Sequence, residues 1–244
     1  MIYKINSRQN EKIKEVCKYD NAAYCKQTGC YKIEGFHLFE LAKEANNLVE
    51  VFTLKEIKDL DESIKQYVVN EDVMKKISSS KTPQGIVAIS KINPEQDIKS
   101  DKILFLDDVS DPGNMGTIFR TALAFGYSDI VLTSNCCFPY SNKVIQSSQG
   151  SIFKLNIVKN LYLADLKQKG YKIYSTELRN SRSIEEVSVA TKYVLVLGNE
   201  AHGVSQNTHD LADERIRIDI KNIESLNVAI AGSIAMYVLA NKKS

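Results

Sequence analysis

The sequence predicts an α/β protein in which a C-terminal domain with a parallel sheet follows a smaller α/β domain. Short apolar runs alternate with segments of helical spacing along most of the chain, which is typical of α/β architecture. One polar stretch, residues 91–102, contains a proline and no periodic apolar pattern, as linkers do. We therefore predict a first domain at 1–92, a linker at 93–102 and a second domain at 103–244.

The composition narrows the class of protein. Of 244 residues, 43% are hydrophobic and 25% charged, and the net charge of +2 neither requires nor excludes a nucleic-acid partner. The polar start and the lack of a long apolar run predict no signal peptide and no membrane span. An odd number of cysteines, five, predicts reduced thiols in a cytoplasmic protein, and no ligand spacing indicates a metal site.

Each domain shows its own succession of elements. In the first, we predict helical structure within 6–27 and at 36–46 and 72–80, with strands at 31–34, 48–54, 65–69 and 85–90. In the second, we predict strands at 103–106, 130–133, 154–158, 172–176, 194–197 and 216–220. The intervening helices are expected at 115–125, 143–149, 162–169 and 227–241, with a short turn near 183–187. Near-continuously apolar strands indicate a parallel sheet covered on both faces, and such sheets bind ligands beyond their strand carboxyl ends.

The most informative stretch is DPGNMGTIFRTALAFG, residues 111–126, which follows the apolar run 103–106. The order of apolar run, turn residues and helically spaced apolar residues predicts a strand, a tight turn and a helix. Asn114 lies where an amide can cap the helix. Arg120 lies off the apolar face and could offer its guanidinium to a phosphate or a hydroxyl. An ordinary βα turn with a solvated arginine is the alternative on this stretch alone.

Two later segments carry similar signals. LGNEAHGVS, residues 197–205, places Glu200 beyond the end of a strand, between glycines that permit close backbone approach. His202 in the same segment is interpreted as incidental. The last segment, residues 225–240, has the sequence SLNVAIAGSIAMYVLA and predicts an apolar helix. Two polar residues lie at its N-terminal end: Ser225, a possible cap, and Asn227. We expect this helix to be buried against the sheet and a second subunit.

In this order and spacing, the three segments resemble the three motifs of the SpoU/TrmH family of RNA 2′-O-ribose methyltransferases: Asn-x(5)-Arg, Gly-Asn-Glu and Ser-Leu-Asn. The match covers residues 103–240. The N-terminal region resembles, more loosely, the RNA substrate-binding domain often fused to this family, through Ile5-Asn6-Ser7, Lys32-Ile33-Glu34-Gly35 and Thr82-Pro83-Gln84-Gly85. The segment 221–224 lacks the glycine that relatives usually carry there.

The resemblance implies a sheet whose carboxyl-terminal part threads into a trefoil knot, and a homodimer through helix 227–241. It implies that S-adenosylmethionine is held bent, largely by backbone groups, at Thr176, Gly198, Asn199, Ile218, Ile220 and Leu226. Arg120 would contact the target phosphate and help to activate the 2′-hydroxyl. Asn114 would orient that arginine or the ribose, and Glu200, Ser225 and Asn227 would position the surrounding loop.

The substrate expected from the resemblance is ribosomal RNA, with transfer RNA as the nearest alternative. RNA is implied because DNA lacks the 2′-hydroxyl. With a near-neutral net charge, RNA affinity should rest on a local basic face, for which the candidates are Lys12, Lys14, Lys18, Lys26 and Lys32. An RNA-binding assembly factor that lost catalysis is a competing hypothesis. A nucleotide-binding oxidoreductase is disfavoured, because G-x-G-x-x-G is missing after strand 103–106.

Overall fold

The computed structural model describes residues 2–242. Met1, Lys243 and Ser244, which the predicted domains include, lie outside the described residues. The chain divides into two compact units, one formed by residues 2–94 with 140–153 and the other by 95–139 with 154–242. The segment 140–153, which the sequence places in the second domain, therefore belongs to the first unit.

The elements follow one another in this order. The first half of the chain contains β1 (Ile2–Ile5), α1 (Glu11–Lys18), α2 (Ala22–Thr28), β2 (Cys30–Glu34), α3 (Phe36–Glu44), β3 (Leu48–Thr53), β4 (Lys65–Val69), α4 (Glu71–Ile77) and β5 (Ile86–Lys91). The second half contains β6 (Lys102–Leu106), α5 (Pro112–Ala124), β7 (Asp129–Leu132), α6 (Asn142–Ser148), β8 (Asn156–Val158), α7 (Leu163–Gln168), β9 (Lys172–Thr176), β10 (Arg182–Ser183), β11 (Tyr193–Leu197), α8 (Gln206–Leu211), β12 (Glu214–Arg217) and α9 (Val228–Asn241). Short 3₁₀ turns lie at Ser151–Phe153 and Ile184–Glu186.

The first unit is built on a five-stranded sheet with the order β1-β4-β3-β5-β2. Strands β1 and β3 run parallel to β4, whereas β5 runs antiparallel to β3 and β2. Helix α6 contacts β2, and its apolar side chains Val144 and Ile145 are fully buried. On the same helix, Gln146 Nε2 donates to the backbone oxygen of Glu34 over 3.1 Å. These contacts explain why α6 joins the first unit.

The second unit is built on seven parallel strands in the order β10-β12-β9-β11-β6-β7-β8. The fold class predicted from the sequence, an α/β protein with a parallel sheet, is confirmed. The trefoil knot stays a prediction. Strands β9, β11 and β6 are neighbours, so the loops after their carboxyl ends leave the same edge of the sheet. Part of the core beneath is formed by a cluster of buried side chains: Ile103, Phe105, Val131, Val158, Leu163, Leu166, Tyr171, Ile173, Val194 and Val196.

Several element boundaries differ from the sequence prediction. Helix α5 begins at Pro112 rather than at 115, because Asp111 accepts the backbone N–H of Asn114 and caps the helix. Helix α9 is capped by Asn227 and not by Ser225. Strand β12 ends at Arg217, so the residues that follow it form a loop. Strand β1 and helix α8 were not predicted. No helix within residues 2–242 is long and apolar enough to cross a membrane.

Candidate active site

A pocket of about 920 Å³ opens in the second unit at the carboxyl ends of β9, β11 and β12. Its volume lies in the range of small-molecule sites. Four chain segments line most of it: 176–180, 198–206, 216–220 and 225–235. All six positions that the family resemblance assigns to the cofactor are on its wall: Thr176, Gly198, Asn199, Ile218, Ile220 and Leu226.

The loop after β11 is held in shape by backbone and amide hydrogen bonds. Asn199 and Gly203 exchange two backbone hydrogen bonds, of 2.8 and 2.9 Å. The Oδ1 atom of Asn199 accepts the backbone N–H of Ala201, and its Nδ2 atom donates to the backbone oxygen of Asp108. A Cβ atom at Gly198 would lie 2.3 Å from the carbonyl carbon of Gly203. Glycine is therefore required at 198 for this close approach of the backbone.

A buried carboxylate anchors the far end of the same loop. Asp107 is 3% exposed and directly follows β6. Its Oδ2 atom accepts the backbone N–H of Ser205 and the hydroxyl of Thr208, both over 2.7 Å. The loop is thus fixed to the neighbouring strand as well as within itself.

Glu200 is the centre of the hydrogen-bond network at the pocket. Its Oε1 atom accepts from Asn114 Nδ2 and from the backbone N–H of Asp111, each over 3.0 Å. Its Oε2 atom accepts from the backbone N–H and the hydroxyl of Ser110. Glu200 thereby ties the loop after β11 to the start of α5.

These donors determine the protonation state of the carboxyl. Partial burial opposes ionisation of Glu200, but the side chain of Asn114 and the backbone N–H groups of Asp111 and Ser110 outweigh it and hold the pKa at about 2. Glu200 is therefore ionised at neutral pH. A group with this pKa is too weak to serve as a general base near pH 7, so its role is to hold other groups in place.

Asn227 brings the third motif to the same network. Its Oδ1 atom caps α9 by accepting the backbone N–H groups of Ala229 and Ile230. Because the oxygen is committed to the cap, Nδ2 is left to donate, and it does so to Asn114 Oδ1 over 2.9 Å. The amide of Asn114 is then oriented with its own Nδ2 toward Glu200. Three segments distant in sequence thus fix one another's orientation.

Two of the predicted catalytic residues lie outside this network. Ser225 lines the pocket, is exposed, and forms no side-chain hydrogen bond within residues 2–242. Arg120 lies on the exposed side of α5 and does not line the pocket. Arg120 lies six residue steps beyond Asn114, which is about 9 Å along a helix axis. Its guanidinium has no hydrogen bond or ion pair with the described part of the chain, so it is open to solvent.

The pocket lining also contains a pair of side chains that was not predicted from the sequence. Glu177 directly follows β9 and lines the pocket together with His209 of α8. The distance between His209 Nδ1 and Glu177 Oε2 is 2.8 Å. Their proximity depends on α8, a six-residue helix of mostly polar residues with no apolar periodicity to reveal it. The position of Glu177 just past the end of a predicted strand was the available signal.

The loop 218–224 departs from the family pattern without a break in the wall. Asn222 in this loop adopts a φ of +65°, in the left-handed region that favours glycine. Asparagine tolerates this conformation better than other non-glycine residues. On either side of it, Ile220 and Ser225 line the pocket. The turn at Asn222 is therefore formed without a glycine.

The five candidate RNA-binding lysines lie in the first unit and divide into two groups. Lys32 is 4% exposed, bonds to Asp20 over 2.7 Å and donates to the backbone oxygen of Ile77. It does not fit the predicted RNA contact, because β2 directs its side chain into the unit. Lys12 is held by Glu15 and Glu50. Burial disfavours its charged form, but hydrogen bonds to Glu50 and Glu15 raise the pKa of Lys12 overall.

The other three lysines remain at the surface. Lys14, Lys18 and Lys26 are exposed on α1 and α2. Lys14 pairs with Glu11 over 2.7 Å, and Lys18 lies over the ring of Tyr24. Surface pairs of this kind contribute little to stability, so these ammonium groups can exchange partners. Among residues 2–242, no cluster of histidine, cysteine and carboxylate side chains could hold a metal ion.

A pocket at the carboxyl ends of a parallel sheet, with an ordered network of polar side chains in its lining, is typical of α/β enzymes that bind a small molecule. Comparison with known proteins gives the family. The model of the SpoU rRNA methylase family matches residues 101–237, and that of the MRM3-like substrate binding domain matches residues 10–88. The chain belongs to the SpoU rRNA methylase family and is thus, by class, an RNA methyltransferase.

Individual relatives agree over nearly the whole chain. It is 33% identical over 243 residues to the 23S rRNA (guanosine(2553)-2′-O)-methyltransferase RlmP of Bacillus subtilis (strain 168), with 96% of this chain and 98% of that protein covered. A solved structure from Porphyromonas gingivalis, assigned to the TrmH family of RNA methyltransferases, is 26% identical with a TM-score of 0.84, covering 95% of this chain and 97% of that one. The AdoMet-bound rRNA methyltransferase of Sinorhizobium meliloti, at 24% identity, shares the fold with a TM-score of 0.88, covering 98% and 97%.

Proposed function

We propose that the protein transfers a methyl group from S-adenosylmethionine to a ribose 2′-hydroxyl of ribosomal RNA. The observation that carries the proposal is the Glu200–Asn114–Asn227 network, which unites the three motif segments at the pocket. The B. subtilis relative is named for the same reaction on 23S rRNA, which makes 23S rRNA the first substrate to test. The proposal places the protein with this RNA in the cytoplasm.

The pocket suits the cofactor in size and in chemistry. Its volume accepts a nucleoside with an amino-acid tail, and Gly198 lets the backbone of the loop approach it closely. Backbone groups near Thr176, Gly198 and Asn199, and the apolar side chains of Ile218, Ile220 and Leu226, would hold the cofactor. Once bound, it supplies an activated methyl group on a sulfonium. The pocket wall then contributes in-line placement, which alone can remove several kcal/mol of the barrier.

Proton removal from the 2′-hydroxyl has to come from outside the Glu200 network. Glu200 is fully ionised but too weak a base, and the two asparagine amides do not titrate. In the proposed mechanism, Arg120 binds the phosphate of the target nucleotide and helps to activate the hydroxyl by orienting it. The hydroxyl proton passes to solvent water, because a guanidinium cannot accept it. Asn114 orients the ribose, and Glu200, Ser225 and Asn227 position the loop beside it. Arg120 suits this role because its guanidinium is exposed and unpaired within residues 2–242.

We also propose a homodimer formed through α9, together with the trefoil knot of the family. Ile230 and Tyr237 are 54% and 56% exposed on α9, and a spacing of seven residues places them on one helical face. Exposed apolar side chains in such a stripe are typical of a subunit interface. Light scattering at micromolar concentration should give twice the monomer mass, and Ile230→Asp with Tyr237→Ser should give the monomer mass. A wild-type monomer would refute the dimer.

The reaction is tested with purified protein, S-adenosylmethionine labelled on the methyl group, and two RNA transcripts. We expect label to enter a fragment of 23S rRNA and not a transfer RNA, at a position that alkaline hydrolysis identifies as 2′-O-methylated. Leu226→Arg is the blocked control, because an arginine at this wall position fills the pocket and repels the cationic cofactor. Calorimetric titration should show binding to the wild type and none to this variant.

The alternatives predict different results. Labelling of transfer RNA alone would reassign the substrate within the same reaction. Binding of RNA without cofactor binding at millimolar concentration would favour the non-catalytic assembly factor. Transfer to a base instead of the ribose would overturn the proposed chemistry while leaving the cofactor assignment intact.

A further inference from the structure

The pocket also carries an ordered carboxylate that the proposed mechanism does not use. Glu177 has a side chain that is 12% exposed and lines the pocket. Its Oε1 atom accepts the hydroxyl of Ser175 over 2.5 Å, and Ser175 itself is fully buried. Arg215 Nε lies 3.9 Å from the same oxygen. The carboxylate is thus held in one orientation.

His209 completes the support of Glu177 from the other side. Its Nδ1 atom lies 2.8 Å from Glu177 Oε2. This geometry fits an Nδ1–H that donates to the carboxylate oxygen. The carboxylate therefore has one donor on each oxygen. A carboxylate offers about four acceptor positions, so about two remain beyond these two hydrogen bonds, on a side chain that lines the pocket.

Two acceptor positions side by side on one carboxylate match two neighbouring hydroxyl groups. In α/β proteins that bind nucleotides, a carboxylate beyond the end of a strand accepts hydrogen bonds from ribose hydroxyls. We propose that Glu177 accepts the ribose hydroxyls of the nucleoside cofactor and that His209 is a positioning residue for this carboxylate. The inference rests on the proposed function, since it takes the ligand of this pocket to be S-adenosylmethionine.

The test is calorimetric titration of the full-length protein with S-adenosylmethionine and with its product S-adenosylhomocysteine, which keeps the ribose but lacks the sulfonium charge. Glu177→Gln should raise Kd for both ligands by the same factor, about tenfold or more, because bonds to a charged acceptor are lost. His209→Ala should raise both by a smaller, equal factor. His37→Gln is the control, since His37 is exposed on α3 of the first unit and does not line the pocket, and it should leave Kd unchanged.

A ligand variant tests the contact without reliance on the folding of Glu177→Gln. The 2′,3′-dideoxy analogue of S-adenosylhomocysteine should bind the wild type about tenfold or more weakly than the parent, and should bind wild type and Glu177→Gln equally. If the wild type bound the dideoxy analogue as tightly as S-adenosylhomocysteine, the inference would be overturned. Loss of affinity for S-adenosylmethionine alone in Glu177→Gln would also overturn it, because the carboxylate would then act on the sulfonium charge. A wild type that binds neither parent ligand would refute the proposed function instead.

Discussion

One charged side chain in each unit shows how similar hydrogen bonding can serve the fold in one place and a ligand site in another. In the first unit, Lys32 is buried and bonds to Asp20 and to the backbone oxygen of Ile77. In the second unit, Glu200 is also held by several hydrogen bonds, but it lies at the wall of an open pocket. Lys32 reaches only its own chain, so it stabilises the fold. Glu200 orients amides that face a ligand site, so it prepares the site.

The difference separates structural from functional residues of the same chemical type. A lysine in the substrate-binding unit suggests RNA contact, yet Lys32 is out of reach of any partner. Arg120, by comparison, is exposed and unpaired within residues 2–242. The number of partners that the folded chain supplies is thus more informative than the sign of the charge. Four variants test this contrast between side chains that the fold holds and side chains that serve a site, from the largest expected effect to the smallest.

Asn114→Ala should have the largest effect and should confine it to catalysis. It removes the amide that links Glu200 to Asn227, so the ribose is no longer oriented. We expect the methyl-transfer rate to fall about a hundredfold, with thermal stability and calorimetric cofactor affinity nearly unchanged. Asn207→Ala is the matched control, because Asn207 is exposed on α8 and does not line the pocket. Unchanged turnover of Asn114→Ala would assign the network to stability alone.

Lys32→Met should have the reverse profile. The methionine keeps the packing of the lysine stem, but the buried backbone oxygen of Ile77 loses its donor and Asp20 its partner. We expect the free energy of unfolding to fall by about 2 kcal/mol, a factor of about thirty in the unfolding equilibrium. Denaturant titration measures it, with exposed Lys14→Met as control. If Lys32→Met lost RNA binding but kept full stability, Lys32 would have to be assigned to the RNA contact after all.

Charge reversal of the exposed lysines should act on RNA affinity only. We expect the triple change of Lys14, Lys18 and Lys26 to Glu to weaken binding of a 23S rRNA fragment on the order of tenfold. The slope of log Kd against log salt concentration should fall by about 0.7 for each lost phosphate contact. Filter binding at several salt concentrations gives both quantities. Lys169→Glu, an exposed lysine of the second unit, provides the comparison. Equal salt slopes in variant and wild type would place the RNA face elsewhere.

Glu200→Gln should produce the smallest effect, and one that depends on pH. The folded protein holds the pKa of Glu200 at about 2, below its ordinary value of 4.5. The ionised carboxylate therefore stabilises the folded protein at pH above about 4.5, and this contribution disappears as the pH falls toward 2. Thermal melting from pH 7 to pH 3 should show a wild-type advantage that shrinks below pH 4.5. An advantage that grows on acidification would contradict the assigned ionisation.

Much of the fold could be read from the sequence because its strands are apolar and regularly spaced. The runs 103–106 and 194–197 are buried strands of the parallel sheet, as predicted. Helix α8 was not predicted because it is short and polar. Strand β1 was not predicted because three of its four residues are exposed. Helix α6 was assigned by chain order, whereas its buried face in fact packs on β2 of the first unit.

The sequence by itself determined the class of fold and the three motif segments, because local periodicity and turn chemistry act over a few residues. Only the tertiary structure decided how these segments work together. Asn114 lies 86 residues from Glu200 and 113 from Asn227, so their hydrogen bonds exist only when β6, β11 and α9 are assembled. The same holds for the pairing of Glu177 with His209 and for the burial of Lys32. Contacts between distant residues depend on three-dimensional position, which no local pattern encodes.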